Sequence, residues 1–175
     1  KQKTAYEIYQ CDWSSRRVLF RFYRVAAAGG APVRIANDAA GPQFGATSDR
    51  VFMMKNDKDK RQLVSTDLNG QAQRVHATGA LVNDFQVAPQ GDYVAFRQNY
   101  EAFVMPLMPG TQGVDVDKKG GPLPVTRVSA EGADFINWSD NGRRIHWSMG
   151  PTLYSADTAS LFANAPQDEN APKFP

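Results

Sequence analysis

One cysteine and two histidines are all that 175 residues offer for thiol or imidazole chemistry. With Cys11 alone, no intrachain disulfide can form and a cysteine-based zinc site is excluded. A lone cysteine leaves the compartment undecided. His76 and His146 stand 70 residues apart and neither belongs to a His-x-His pair. Apolar runs long enough to cross a bilayer are missing, so membrane insertion is not expected. The opening KQKTAYEIYQ lacks the apolar core of a signal peptide, although a leader could precede it. Charge of one sign is also lacking. Twenty basic and 18 acidic residues interleave, and the densest basic run, Lys58–Arg61, is broken by Asp59 and flanked by Asp57. It reads as a solvated hairpin tip, and nucleic-acid binding is not expected. None of Ser14, Ser129, Ser139 and Ser148 lies in a Gly-x-Ser-x-Gly elbow, and no phosphate-cradling glycine loop occurs. No cofactor is implied.

What the chain has instead is repetition. Asp84–Leu107 and Asp134–Asp157 both open on Asp-Phe, pass a short turn ending at Gly91 or Gly142, and continue into an alternating strand. Those glycines lie 51 residues apart, a period typical of repeat architectures. Two worn copies precede them. Phe44–Met53 overlays Val87–Phe96 without gaps, and Asp12–Phe20 matches Asn137–Trp147 after deletion of two turn residues. The closing residue of each copy (Phe20, Met53, Phe96, Trp147) gives spacings of 33, 43 and 51, the range of a propeller blade with variable loops.

Short β-branched segments follow the first three copies at Ala31–Ile35, Ala72–His76 and Pro124–Ser129, preceded by Gly29-Gly30, Asn69-Gly70 and Gly120-Gly121. Asn-Gly predicts a type I′ hairpin, in which both central residues need positive φ. Each unit then holds up to four antiparallel strands, innermost at Asp-Phe and outermost after the glycines. The expected fold is all-β, a propeller or partial propeller of about four blade-like units at 12–36, 44–78, 84–129 and 134–158. A two-sheet sandwich is the alternative. Residues 1–160 form the propeller segment and 161–175 a tail or linker, with one or two helical turns within Ala156–Ala165. The fourth unit lacks a glycine-turned outer strand, and Thr4–Gln10 has the alternation to supply one. The polar stretch Gly110–Gly121 reads as a long loop suited to contacts with another domain or partner.

The phrase Trp138–Trp147, aromatic-Ser-x-x-Gly-Arg-Arg-Ile-x-Trp, resembles the WD40-like repeat of TolB-like propellers. Ala88–Gly91 and Ser139–Gly142 each keep part of that family's Ser-Pro-Asp-Gly turn, and the two earlier copies lose the glycine. A longer stretch, Phe96–Leu107 with Pro124–Gly132 and Ile136–Ser155, resembles the propeller that precedes the catalytic barrel in large bacterial amidohydrolases. It includes the ending Trp-Ser-x-Gly-Pro-x-Leu-Tyr at Trp147–Tyr154. The resemblance covers roughly Asp67 to Asp157. It implies a periplasmic or secreted accessory module, with metal-dependent hydrolysis in a part of the larger protein not present here. The histidine-rich metal site of those barrels has no counterpart in this sequence.

Three residues stand out as binding candidates. Asp84 and Asp134 occupy equivalent repeat positions, where a carboxylate can accept turn amides or face a channel mouth. His146 reads as a hydrogen-bonded core histidine, while His76, at the end of an outer strand, reads as exposed. Trp13, Trp138, Trp147, Tyr93 and Phe96 fall on repeat positions and read as packing residues. No catalytic or metal-ligating residue is expected. The leading functional expectation is a non-catalytic module binding a partner domain, protein or peptide. The alternatives are a lyase or hydrolase with its site in the propeller funnel, and a free-standing binding protein. Open strand edges imply a dimer as one outcome.

Overall fold

The computed structural model describes residues 21–108, 113–117 and 121–163. Fourteen strands occur among them, arranged as four sheets in chain order. The first sheet pairs β1 (Arg21–Arg24) with β2 (Val33–Asn37). The second runs from its inner edge as β3 (Ala39–Phe44), β4 (Arg50–Asp57), β5 (Lys60–Asp67) and β6 (Arg74–Ala80), with β10 (Val114–Asp115) added outside. The third contains β7 (Val82–Val87), β8 (Tyr93–Gln98), β9 (Glu101–Pro106) and β11 (Thr126–Arg127). The fourth has three strands, β12 (Asp134–Ser139), β13 (Arg144–Met149) and β14 (Thr152–Asp157), and leads into helix α1 (Thr158–Ala163). All pairings are antiparallel except β10 on β6. This is the all-β fold that the repeats predicted.

Alternation along the strands explains the stacking, because successive side chains project to opposite faces of a sheet. On β4, Val51 and Met53 pack with Phe22 and Ile35 of the first sheet, while Phe52 and Met54 join Phe85 and Phe96 of the third. A strand apolar on both faces must be covered twice, and Val51–Met54 are all buried. On β8, Val94 and Phe96 face the second sheet, and Ala95 packs with Ile136, Ile145 and Trp147 of the fourth. β13 breaks this pattern. Ile145 and Trp147 are buried, but the alternate positions are His146 and Ser148, both half-buried. The outward positions of the fourth sheet's central strand are therefore polar where those of its predecessors are apolar, although Leu153, opposite Ser148, lies exposed on the same face.

The repeat glycines Gly91 and Gly142 take φ of +72° and +88°, which explains their recurrence at the turn between the first two strands of a unit. The Lys58–Asp59 stretch is an exposed hairpin turn, as its broken charge run predicted. The Asn69-Gly70 turn differs from the expected type I′. Gly70 has φ +75° but Asn69 is not in the left-handed region, because Asp67 organises a wider turn. Its carboxylate accepts the Asn69 and Gln71 amides at 2.9 and 2.7 Å, and its backbone N–H donates to the Gln71 carbonyl at 2.9 Å.

The stretch predicted as a free polar loop is partly folded. Val114 and Asp115 run parallel to Ala77 and Thr78 of the preceding sheet, and the Val116 amide donates to the Thr78 carbonyl at 2.8 Å. Val116 is buried in the core between the second and third sheets. Its apolar side chain supplies the burial that a wholly polar loop would lack. Helix α1 continues through the 160/161 boundary drawn from sequence, with Phe162 stacked on Tyr93 at a centroid distance of 5.1 Å. Thr4–Gln10, Trp13 and the opening of the first unit lie outside the described residues.

Candidate functional site

Strand β7 meets β3 of the sheet before it and β12 of the sheet after it, each the first strand of its sheet. Asp84 and Asp134 lie on β7 and β12, each beside a register shift at the start of its strand. The glycine turns are at the far ends of those strands, so neither carboxylate accepts the turn amides expected of it. Asp84 is half-buried and accepts Gln86 Nε2 at 3.3 Å on both oxygens. Asp134 is exposed and takes an ion pair from Arg97 Nη1, which also donates to the Ala133 carbonyl at 3.4 Å. Arg97 is the cross-strand partner of Asp84 in its own sheet. One guanidinium therefore stands between the two repeat-equivalent aspartates and bonds the one on the following sheet. Its Nε is buried without a hydrogen-bond partner.

His146 belongs to the same sheet as Asp134. Asp134 pairs in register with Ser148, two residues along β13 from His146. The imidazole Nε2 lies 2.6 Å from Ser139 Oγ on the neighbouring strand. The ring is hydrogen-bonded as expected but half-buried on the sheet's polar outward face, not enclosed in the core. Structure thus places Asp134, Ser139, His146 and Ser148 on one sheet, with Asp84 on the next.

His76 is the opposite case. Sequence position suggested exposure, yet it is 7% exposed on β6, its ring 4.9 Å from that of Phe52. The strand continues to Ala80, well beyond the end inferred from sequence, and the strap Val114–Val116 covers its outer side. Arg50 Nε donates to Ser65 Oγ at 3.0 Å, and that hydroxyl is hydrogen-bonded to His76 Nε2, 2.7 Å away. The other ring nitrogen, Nδ1, is buried and has no hydrogen-bond partner. Burial, reinforced by the positive charges of Arg50 and Arg74, pushes the imidazole down to about 4.

Sequence reasoning overlooked Gln43. Its side chain crosses from the second sheet to the inner edge of β7, donating to the Phe85 carbonyl at 2.9 Å and accepting the Val87 amide at 2.8 Å. Trp138 Nε1 donates to the Gln86 carbonyl on the same strand at 2.9 Å. The signal was weak: Gln43, Gln86 and Asn137 are equivalent in register with their neighbouring strands, but an amide on a repeat position also suits a solvent-facing site.

Also overlooked was an apolar rim. Tyr100 and Phe135 are 75% and 87% exposed, with φ of +70° and +50°. The segments that carry them are joined, since the Ala133 amide donates to the Tyr100 carbonyl at 2.7 Å. Left-handed backbone in bulky residues costs on the order of 1–3 kcal/mol each, and such strain gathers at functional surfaces. Met149 lies beside them, its sulfur 3.7 Å from where a Cβ on Gly132 would sit, and is also exposed.

Among the described residues, no three His, Cys, Asp or Glu side chains gather as a metal-binding group, and no helix is long and apolar enough to cross a membrane. No protein-family model matches the sequence, and no curated protein is significantly similar to it. Solved structures do match in fold. TolB from Acinetobacter baumannii aligns with a TM-score of 0.64 over 90% of this chain and 39% of its own, at 13% identity. A protein from Lactobacillus plantarum aligns with a TM-score of 0.52 over 82% of this chain and 46% of its own, at 12% identity. The chain spans less than half the length of either. Its fold is TolB-like.

Proposed function

We propose that this chain is a TolB-like β-propeller segment acting as a non-catalytic interaction or accessory module, each sheet forming one blade. The larger protein it serves would be related to the amidohydrolases, with the module periplasmic or secreted. The observation that carries the reading is the change of chemistry across the stack. Apolar faces bind the first sheet to the second, the second to the third and the third to the fourth. The outward face of the fourth carries His146 and Ser148 at the positions where packing residues would be needed. Polar residues on the outer face of the central strand are what a terminal repeat requires, since they meet water or a partner in place of another repeat. The strained aromatic rim of Tyr100 and Phe135 supplies an apolar contact beside that face, suited to a partner domain or peptide. Asp84 and Asp134 would serve it as positioning groups, with Arg97 fixing the second.

Purified protein should hydrolyse none of a panel of linear amides, cyclic amides and esters, and a metal assay should find no stoichiometric ion. Turnover that persists through repurification and falls when Asp84, Asp134 or His146 is replaced would overturn this reading in favour of a funnel enzyme.

A further inference from the structure

We propose that Asn141 is a site of self-modification, at which the chain's own backbone converts the side-chain amide to aspartate and isoaspartate. The sequence holds two Asn-Gly pairs, Asn69-Gly70 and Asn141-Gly142. Such a pair is reactive because glycine has no side chain to shield its amide nitrogen. That nitrogen, once deprotonated, attacks asparagine Cγ. The new C–N bond closes a succinimide ring as the Cγ–Nδ2 bond breaks and ammonia leaves. Water then opens the ring at either carbonyl. One product is aspartate; the other, isoaspartate, routes the main chain through Cβ and lengthens it by a carbon. Water is the only co-reactant, so local structure decides which pair reacts.

Both pairs lie in turns between antiparallel strands, and both asparagines are exposed. Each glycine takes part in its turn, Gly70 by donating its amide to the Asp67 carbonyl at 3.1 Å and Gly142 within the single 3₁₀ turn Asp140–Gly142. The asparagines are held very differently. Asn69 is anchored twice: its N–H donates to Asp67 Oδ1 at 2.9 Å, and its own Oδ1 accepts Arg24 Nη2 at 3.1 Å. Gly70 is wedged against the first sheet, where a Cβ would stand 2.6 Å from the Ile35 carbonyl oxygen. Closing the ring turns the asparagine–glycine peptide toward the asparagine's Cβ. At Asn69 that rotation breaks these contacts together, and each hydrogen bond lost adds to the barrier. Asn141 makes no side-chain hydrogen bond among the described residues. Gly142 meets the third sheet less tightly, a Cβ there lying 3.3 Å from Ala88 Cβ. The consequence falls on the fourth sheet. The Asn141 turn joins β12 to β13, whose pairing closes at Ser139 and Arg144. Isoaspartate inserts a carbon and a carboxylate between them, drawing Ser139 Oγ away from His146 Nε2, its partner at 2.6 Å.

The full chain, kept folded in mildly alkaline buffer and followed by peptide mass spectrometry, reports both sites at once. Amide-to-acid conversion at Asn141 should run at least about tenfold faster than at Asn69, a factor equivalent to about 1.4 kcal/mol in barrier. In denaturant the two rates should draw together, since both asparagines precede glycine. Arg24→Ala should speed conversion at Asn69 and leave Asn141 unchanged. An isoaspartate-specific methyltransferase should label the aged wild-type protein and leave Asn141→Gln largely unlabelled. The proposal is overturned if Asn69 reacts as fast as Asn141 in the folded chain, if neither converts, or if the preference for Asn141 survives denaturation.

Discussion

Gln43 and Val87 are bonded across a sheet boundary as though they were partners in one ladder. The Gln43 amide donates to the Phe85 carbonyl and accepts the Val87 N–H, the same two groups an additional strand would engage on that edge of β7. Replacing Gln43 with leucine should therefore leave two partly buried backbone groups without partners and cost roughly 2–3 kcal/mol. Gln43→Glu keeps the acceptor and loses the donor, so it should also destabilise. Denaturant melts read the energies, and hydrogen exchange at Val87 should accelerate in both variants.

The Arg97–Asp134 pair is asymmetric. The Arg97 side chain is 25% exposed and that of Asp134 is 58% exposed. Solvent screening limits Asp134→Asn to about 1 kcal/mol or less. Arg97→Ala should cost more, on the order of 2 kcal/mol, because the aliphatic stem and the bond to the Ala133 carbonyl go with the charge. Raising salt should narrow the wild-type advantage over Asp134→Asn and leave the Arg97→Ala deficit largely in place.

His76 makes the fold sensitive to acid. Its imidazole is held at about 4 in the folded state against 6.5 ordinarily, so between those values the unfolded chain binds the additional proton. Its contribution is complete above pH 6.5, declines as pH falls and is exhausted near pH 4. Up to ~2 kcal/mol should be lost through this group, after allowance for partial solvation. His76→Leu should flatten that part of the stability profile when both proteins are followed by thermal melts from pH 7 to 4.

Gly70 and Gly29 provide a matched test of backbone against space. Both have positive φ, +75° and +91°. A Cβ on Gly70 would lie 2.6 Å from the Ile35 carbonyl oxygen, whereas one on Gly29 would meet nothing within 4 Å. Gly29→Ala should cost only the conformational penalty, about 1 kcal/mol. Gly70→Ala should cost at least twice as much, because the first and second sheets must separate to admit the methyl group. Chemical denaturation of the two variants decides it.

Much of the architecture is legible in the chain because repetition exposes it. The turns at Gly91 and Gly142 and the apolar pair positions Val94/Ile145 and Phe96/Trp147 recur, so one unit interprets another. What recurs less is harder to read. His76 sits on a strand that sequence ends too early, and its ring is packed on Phe52 and bonded to Ser65 of the neighbouring strands. Gln43, Ser65 and Arg97 acquire their roles from groups 42, 11 and 37 residues away, which no local pattern encodes. Asp84 and Asp134 occupy equivalent positions in register, yet their partners differ because only Asp134 lies against an arginine of the preceding sheet. Nor does periodicity forecast the exposure of Tyr100 and Phe135, since both lie where the strand pattern is interrupted.

The strap formed by Val114 and Asp115 makes the second and third repeats unequal to beads on a string. A segment encoded after β9 finishes the outer edge of the sheet before it, and its neighbour Val116 enters the core between them. Excising the third repeat would strip the second of an edge strand along with its neighbour. These two units should therefore open together in native-state exchange, while the fourth, joined to the third without such a crossing strand among the described residues, can open without them.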